Sequence, residues 1–217
     1  MSGQMAADIG HELNNYIFII SGHAQLLSAR PEFQASPQAV KSLGIINDQV
    51  QKISRFISSL MDFSAQNTKK QATDLNDIIV KLIEFIQPQH RFRSVMFDLG
   101  LEEKLPKLNV DPGQIQQVLL NLFSNAAEAM GEGKVVVRSE YLRDVGKVVI
   151  EVNDNGPGMS DEVLAKIFET GFTTKRTGHG FGLSICNRIA ENHGGDLQVV
   201  SEVGKGTSFK LTLPSKS

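Results

Sequence analysis

Asn121 and Asn125 stand four apart in the run NLFSNAAEAM, a spacing that puts both carboxamides on one face of a helix. Their oxygens are neutral hard ligands of the kind Mg²⁺ accepts beside water and phosphate oxygens. An isolated pair of this sort would be read as satisfying buried polar groups. Three glycine motifs follow it, DNGPGM (Asp154–Met159), GHGFGL (Gly178–Leu183) and GKGT (Gly204–Thr207), and that order reverses the reading. Upstream, HELNN (His11–Asn15) sets an imidazole in an apolar helical repeat. A neutral imidazole nitrogen is a competent nucleophile near pH 7, where little deprotonation is required.

Asp154 closes an apolar strand pattern, and Gly156 and Gly158 let the backbone turn sharply behind it. A carboxylate at a strand end can accept a hydrogen bond from the amino group of adenine. Guanine presents an oxygen at that place, so the acid favours ATP. In GHGFGL the amides of Gly178, Gly180 and Gly182 can approach a triphosphate closely. A helix N-terminus beginning near Gly182 then favours negative charge. A dinucleotide fingerprint would need glycine where Leu183 stands. A Walker A loop needs Gly-Lys-Ser/Thr, and the three Gly-Lys pairs here are followed by Val135, Val148 and Gly206. Between the glycine motifs, IFETGFTTKRTG (Ile167–Gly178) is polar and basic toward its end, as a mobile lid would be, with Lys175 or Arg176 able to meet a phosphate.

These groups need positioning elements. Residues 5–28 carry Ile9, Leu13, Tyr16, Ile20 and Leu27 at helical spacing, with Ala24 or His23 in the gap. SARPEFQASP (Ser28–Pro37) has a loop signature. Leu43, Ile46, Val50, Ile53, Ile57 and Leu60 then repeat every three and four residues, a heptad seam. Two helices alone enclose little core, so a homodimeric four-helix bundle is expected. A polar linker over 67–73 leads to mixed α/β grammar over 74–217. There the patterns predict helices over Asp74–Gln87, from Asp111-Pro112 to Met130, over Ser160–Phe168 and over Gly182–His193. Strands are predicted over Lys134–Leu142, Lys147–Val152, Leu197–Glu202 and Thr207–Leu213.

The 217 residues suffice for one or two domains, and 41% hydrophobic with 21% charged residues is ordinary for a globular protein. A net charge of -2 gives no basic surface for nucleic acid. No apolar run approaches the roughly 20 residues that cross a bilayer, and no signal peptide is visible, so a cytoplasmic location is expected. The single cysteine, Cys186, reads as a small buried apolar residue. His23 and His90 read as structural, as does His193, placed at a helix end where a cation suits the dipole.

The order of Asn121/Asn125, DNGPGM, IFETGFTTK, GHGFGL and GKGT resembles the N, G1, F, G2 and G3 boxes of the histidine kinase ATP domain (Bergerat, or GHKL, fold) over about 74–214. HELNN resembles the phosphoacceptor box of the dimerisation and phosphotransfer domain over about 1–66. The resemblance implies an α+β chain: a helical hairpin forming a dimeric bundle, then an α/β sandwich that binds ATP and Mg²⁺. It assigns Asn121 and Asn125 to the metal. It assigns Asp154, Gly156, Gly158, Phe168, Lys175, Gly178, Gly180, Gly182, Leu183 and Thr207 to the nucleotide. His11 becomes the phosphoryl acceptor, Glu12 its general base, and Asn15 the amide that positions water in a phosphatase reaction. The implied partner is the receiver domain of a response regulator.

Hydrolytic members of the wider superfamily carry a Glu one helical turn before the metal-binding Asn, to activate water. Asn121 stands there and cannot take a proton, which favours transfer over hydrolysis. A GHKL-type ATPase and a non-catalytic nucleotide-binding dimeric scaffold are the alternatives. Two departures matter: Tyr16 stands where the family usually has proline, so the first helix is expected to be straighter. Only ten residues precede His11, as in a fragment of a longer kinase or a chain that senses through a partner.

Overall fold

Two prolines mark helix starts in the first part of the chain. Pro31 opens the one-turn helix α1 (Pro31–Gln34) and Pro37 opens the 28-residue helix α2 (Pro37–Ser64), each using a position whose missing N–H costs nothing. Ser36 Oγ accepts the Ala39 N–H at 3.3 Å, a side-chain cap on α2. The segment expected as plain loop over 28–37 thus contains a helical turn. The computed structural model describes residues 19–20, 22–24, 26–28, 30–64, 69–175 and 180–215. Ile9, His11, Glu12, Leu13, Asn15 and Tyr16 lie outside the described residues, as do Arg176 and Gly178.

The chain divides into two units, Met1–Thr68 and Lys69–Ser217. In the first, residues 19–20, 22–24 and 26–28 are helical. Ala24, rather than the exposed His23, fills the gap in the first apolar repeat. On α2 the heptad seam splits by depth. Leu43 and Val50 are buried at 7% exposure each, whereas Ile46 and Ile53 stand 42% and 47% exposed.

The second unit begins earlier than the linker reading allowed. Instead of continuing as linker to residue 73, Gln71–Thr73 is a strand, β1, pairing antiparallel with β3 (Leu108–Val110). Only Thr73 of the three is buried, so the strand leaves no apolar signature. Helix α3 (Leu75–Ile86) is capped by Asp74, whose carboxylate accepts the Asn76 and Asp77 N–H groups, and it buries Leu75, Ile79, Leu82, Ile83 and Ile86. Helix α4 (Pro112–Met130) repeats the device with Asp111 and buries Ile115, Val118, Leu119, Leu122 and Phe123.

β2 (Val95–Leu101), β4 (Gly133–Leu142), β5 (Lys147–Asp154), β6 (Asp196–Glu202) and β7 (Gly206–Pro214) form one sheet in the order β2-β4-β5-β7-β6. β2 runs parallel to β4 and the other pairs are antiparallel. Alternate residues turn one face inward: Val135 and Val137, Val148, Ile150 and Val152, and Phe209, Leu211 and Leu213. Helices α3, α4 and α6 (Gly182–Asn192) form the other layer. Strand β2 escapes the sequence patterns because it is an edge strand with one fully buried side chain, Val95. Phe97 anchors it, meeting Phe123 edge-on at 5.3 Å.

The helix expected over Ser160–Phe168 is one turn long, α5 (Asp161–Leu164). Beyond it the backbone tightens to three-residue turns, with Lys166 bonded to Val163 and Glu169 to Lys166, as Ile167 is drawn into the core. His193 follows α6 and is a neutral structural group, not the cation expected there. Its Nδ1–H donates to the Ile189 carbonyl at 2.8 Å and its Nε2 accepts the Asp111 N–H at 3.0 Å, which occupies both nitrogens of the uncharged ring. Burial depresses its pKa below the ordinary value.

Candidate nucleotide site

Helix α4 is the rail on which the motifs assemble. Asn121 faces the start of α6, where a Cβ built on Gly182 would lie 3.8 Å from Asn121 Oδ1. Its Nδ2 donates to Cys186 Sγ at 3.5 Å. One turn later, Asn125 Oδ1 accepts the Lys175 ammonium at 2.9 Å. The last turn meets the first glycine loop, a Cβ on Gly156 falling 3.2 Å from Met130 Cγ. Sequence spacing placed Asn121 and Asn125 on one face; packing brings to that face the lid lysine and the N-terminus of α6.

Asp154 is the last residue of β5, on the inward face between Val135 and Thr207. Its Oδ1 accepts the Gly156 N–H at 2.9 Å and the Thr207 N–H at 3.2 Å, and Oδ2 is left as an acceptor. Burial raises its pKa, against the pull of the two amides. The loop after it is tied down at several points. Lys134 N–H donates to Asn155 Oδ1 at 2.8 Å, Met159 N–H to Ser201 Oγ at 2.9 Å, and Gly204 N–H to the Pro157 carbonyl at 2.7 Å. Ser201 Oγ in turn donates to the Gly206 carbonyl at 2.9 Å and lies 3.0 Å from Thr207 Oγ1, so the GKGT turn and the DNGPGM loop form one bonded unit.

Two glycines are demanded by close approach. Gly158 has φ +68° and a Cβ there would sit 2.0 Å from the Glu202 carbonyl oxygen; Gly206 has φ +103° and a Cβ would sit 2.0 Å from that of Asp154. At the lid base the Gly171 N–H donates to the Gly180 carbonyl at 3.0 Å, closing the ends of the segment between them. Phe168 and Leu183 are half-buried against the core. Cys186 is fully buried and its thiol is pushed up to about 12, which makes it inert packing.

Sequence reasoning missed Glu128 and Arg91. Glu128, three residues after Asn125 and on the same helix face, pairs with both Lys175 and Arg91. Its place in NAAEAM was the available signal. Arg91 comes from a 3₁₀ turn, His90–Phe92, and no motif marks it. Burial, then the charge of Arg91, lowers the Lys175 pKa. The donor set at Asn121 and Asn125 fits a hard divalent cation: neutral oxygens, one already turned toward a positive charge on Lys175. Among the described residues no three His, Cys, Asp or Glu side chains gather as a protein-only metal cage, so a metal here would need phosphate oxygens.

Residues 110–217 match the family described as histidine kinase-, DNA gyrase B-, and HSP90-like ATPase, and residues 1–69 match the His Kinase A (phospho-acceptor) domain. The chain belongs to the histidine kinases. It is 33% identical over 213 residues to the sensor histidine kinase ZraS of Escherichia coli (strain K12), covering 98% of this chain and 45% of that protein. The chain thus spans about half the length of the curated relatives it matches. The solved catalytic domain of histidine kinase ThkA is 31% identical with a TM-score of 0.60, covering 70% of this chain and 97% of that one. Histidine kinase ThkA in complex with response regulator protein TrrA is 28% identical with a TM-score of 0.69, covering 98% of this chain and 61% of that one. No helix among the described residues is long and apolar enough to cross a membrane.

Proposed function

We propose that the chain is the core of a two-component sensor kinase that moves the γ-phosphoryl group of ATP to His11 and then to an aspartate of a response regulator. The observation that carries this reading is the meeting of Asn121, Asn125, Lys175 and the α6 N-terminus at one face of α4, with Asp154 at the adjoining sheet end. Asp154 Oδ2 is suited to the amino group of adenine. Gly156, Gly158, Gly178, Gly180 and Gly182 would admit the nucleotide to the backbone, with Phe168, Leu183 and Thr207 as walls. Asn121 and Asn125 would hold Mg²⁺, which supplies charge neutralisation at the phosphates.

Around these groups the chain's own work is positioning, as in phosphoryl transfer generally. His11 attacks the γ-phosphorus: a P–N bond forms, the bond to the β-phosphate bridging oxygen breaks, and ADP leaves. Glu12 takes the ring proton. The carboxamide at Asn121 cannot activate water, which favours a protein acceptor over hydrolysis. Asn15, four residues after His11 in sequence, would position water for removing phosphate from the regulator. The solved ThkA–TrrA complex supports a regulator as partner. The exposed seam residues Ile46 and Ile53, beside buried Leu43 and Val50, support a homodimeric bundle over 1–66 joined to an ATP-binding domain over 74–217. A cytoplasmic location accords with ATP as substrate.

The test is incubation with γ-labelled ATP. An acid-labile, alkali-stable phosphoprotein is expected from the wild type and none from His11→Gln, which retains nucleotide binding. Label entering His11→Gln at the normal rate refutes the acceptor, and steady phosphate release without protein labelling identifies an ATPase instead.

A further inference from the structure

The Lys175 ammonium is shared between Asn125 Oδ1, at 2.9 Å, and the Glu128 carboxylate. Arg91 pairs with the other oxygen of that carboxylate. Three elements meet in this cluster: α4, the lid segment and the 3₁₀ turn before β2. None of the side chains is fully solvated, those of Lys175, Arg91 and Glu128 being 39%, 37% and 35% exposed, so the pairing is screened less than an open surface bridge. The ammonium lies on the very acceptor atom assigned above to a divalent cation. Two cations cannot share one amide oxygen at bonding distance, so lysine and metal compete for it.

We propose that Glu128 is a positioning residue that parks the lid lysine across Asn125 while the site is empty, so that loading of metal and triphosphate passes Lys175 from Glu128 and Asn125 to the incoming phosphate. The assignment rests on the nucleotide reading of the same site. Its chemistry balances in charge. When Lys175 leaves, Glu128 keeps Arg91, so no carboxylate is abandoned in a half-buried place. Asn125 exchanges an ammonium for a metal ion, and Lys175 exchanges a carboxylate for a phosphate. The contact holds the described part of the lid at Lys175 against α4 without nucleotide and releases it when phosphate competes.

Hydrogen–deuterium exchange of the full chain without nucleotide reads the parking contact directly. Glu128→Gln is expected to speed exchange of backbone amides 171–175 by about five-fold, the order of one partly screened ion pair. Lys175→Met is expected to do the same, and the double variant no more than either single one. Calorimetry with Mg²⁺ and a non-hydrolysable ATP analogue is the second arm. Glu128→Gln should bind several-fold more tightly than wild type, and that gain should vanish in the Lys175→Met background. Unchanged lid exchange in nucleotide-free Glu128→Gln overturns the proposal, as does a gain in affinity that persists without Lys175. A wild type that binds no analogue overturns the nucleotide reading instead, while the exchange arm still reports on parking.

Discussion

His193 Nε2 accepts the backbone N–H of Asp111 at 3.0 Å, joining the end of α6 to the cap of α4 across 82 residues of sequence. Neighbouring bonds complete a clasp. Lys70 Nζ donates to the Asn192 carbonyl at 3.0 Å and Lys69 N–H to Asp111 Oδ2 at 2.9 Å. The two helices held at this end are those whose other residues face the candidate nucleotide site. Their spacing is set by a neutral ring.

That neutrality has a pH consequence. Burial lowers the His193 pKa from its ordinary 6.5, with Lys70 acting in the same direction and the Ile189 carbonyl and Asp111 opposing. The unfolded chain therefore binds the proton more readily. The stabilisation is fully present above about pH 6.5 and is lost as pH falls below it toward the depressed folded value. Denaturant titrations between pH 8 and 5 should show this loss in the wild type and its absence in His193→Ala. At pH 8 the variant should be less stable by about 1–3 kcal/mol, since the Asp111 N–H is left without its acceptor. Parallel pH profiles for the two proteins would remove His193 from this role.

Asp154→Asn should weaken ATP binding by roughly 10- to 100-fold, the worth of a hydrogen bond to a charged group. Because burial raises the carboxyl pKa, wild-type affinity should begin to fall at a higher pH than an ordinary carboxylate would cause. Calorimetric titration of both proteins against pH checks the two statements together. Equal affinities would take the acid out of base recognition.

Gly206→Ala tests the bonded loops. With φ +103° and a Cβ 2.0 Å from the Asp154 carbonyl oxygen, the variant must shift β7 or the end of β5. A cost of about 2–3 kcal/mol and a fall in Tm on the order of 5–10 °C are expected for a unit of this size. Gly22→Ala, at a helical position with nothing within 4 Å, is the control and should leave Tm nearly unchanged or raised.

If the proposed dimer forms through the α2 seam, the wild type should sediment as a dimer and the double variant Ile46→Asp, Ile53→Asp as a monomer. Two charges would replace exposed apolar side chains on the seam of α2. A dimer that survives both changes would place self-association elsewhere.

What could be read directly in the chain was whatever depends on neighbours in sequence. Asn121 and Asn125 share a face because helical geometry dictates it four residues apart, and both Asp-capped starts, at Asp74 and Asp111, follow from local hydrogen bonding. The antiparallel strands β4 to β7 announced themselves by alternation, since one face of each is buried. Glycines at 156, 158 and 180 marked backbone that passes close to something. Tertiary structure alone decided what each local piece meets. The parallel pairing of β2 with β4 has no turn to signal it. The raised pKa of Asp154 comes from burial among distant residues. The charge on His193 was misjudged because a helix end in isolation invites a cation, whereas the packed end supplies an N–H that only a neutral ring can accept. The Lys175–Glu128–Arg91 cluster joins side chains at positions 91, 128 and 175, 37 to 84 residues apart in sequence. Spacing encodes which residues share an element; only the folded core brings separate elements to bonding distance.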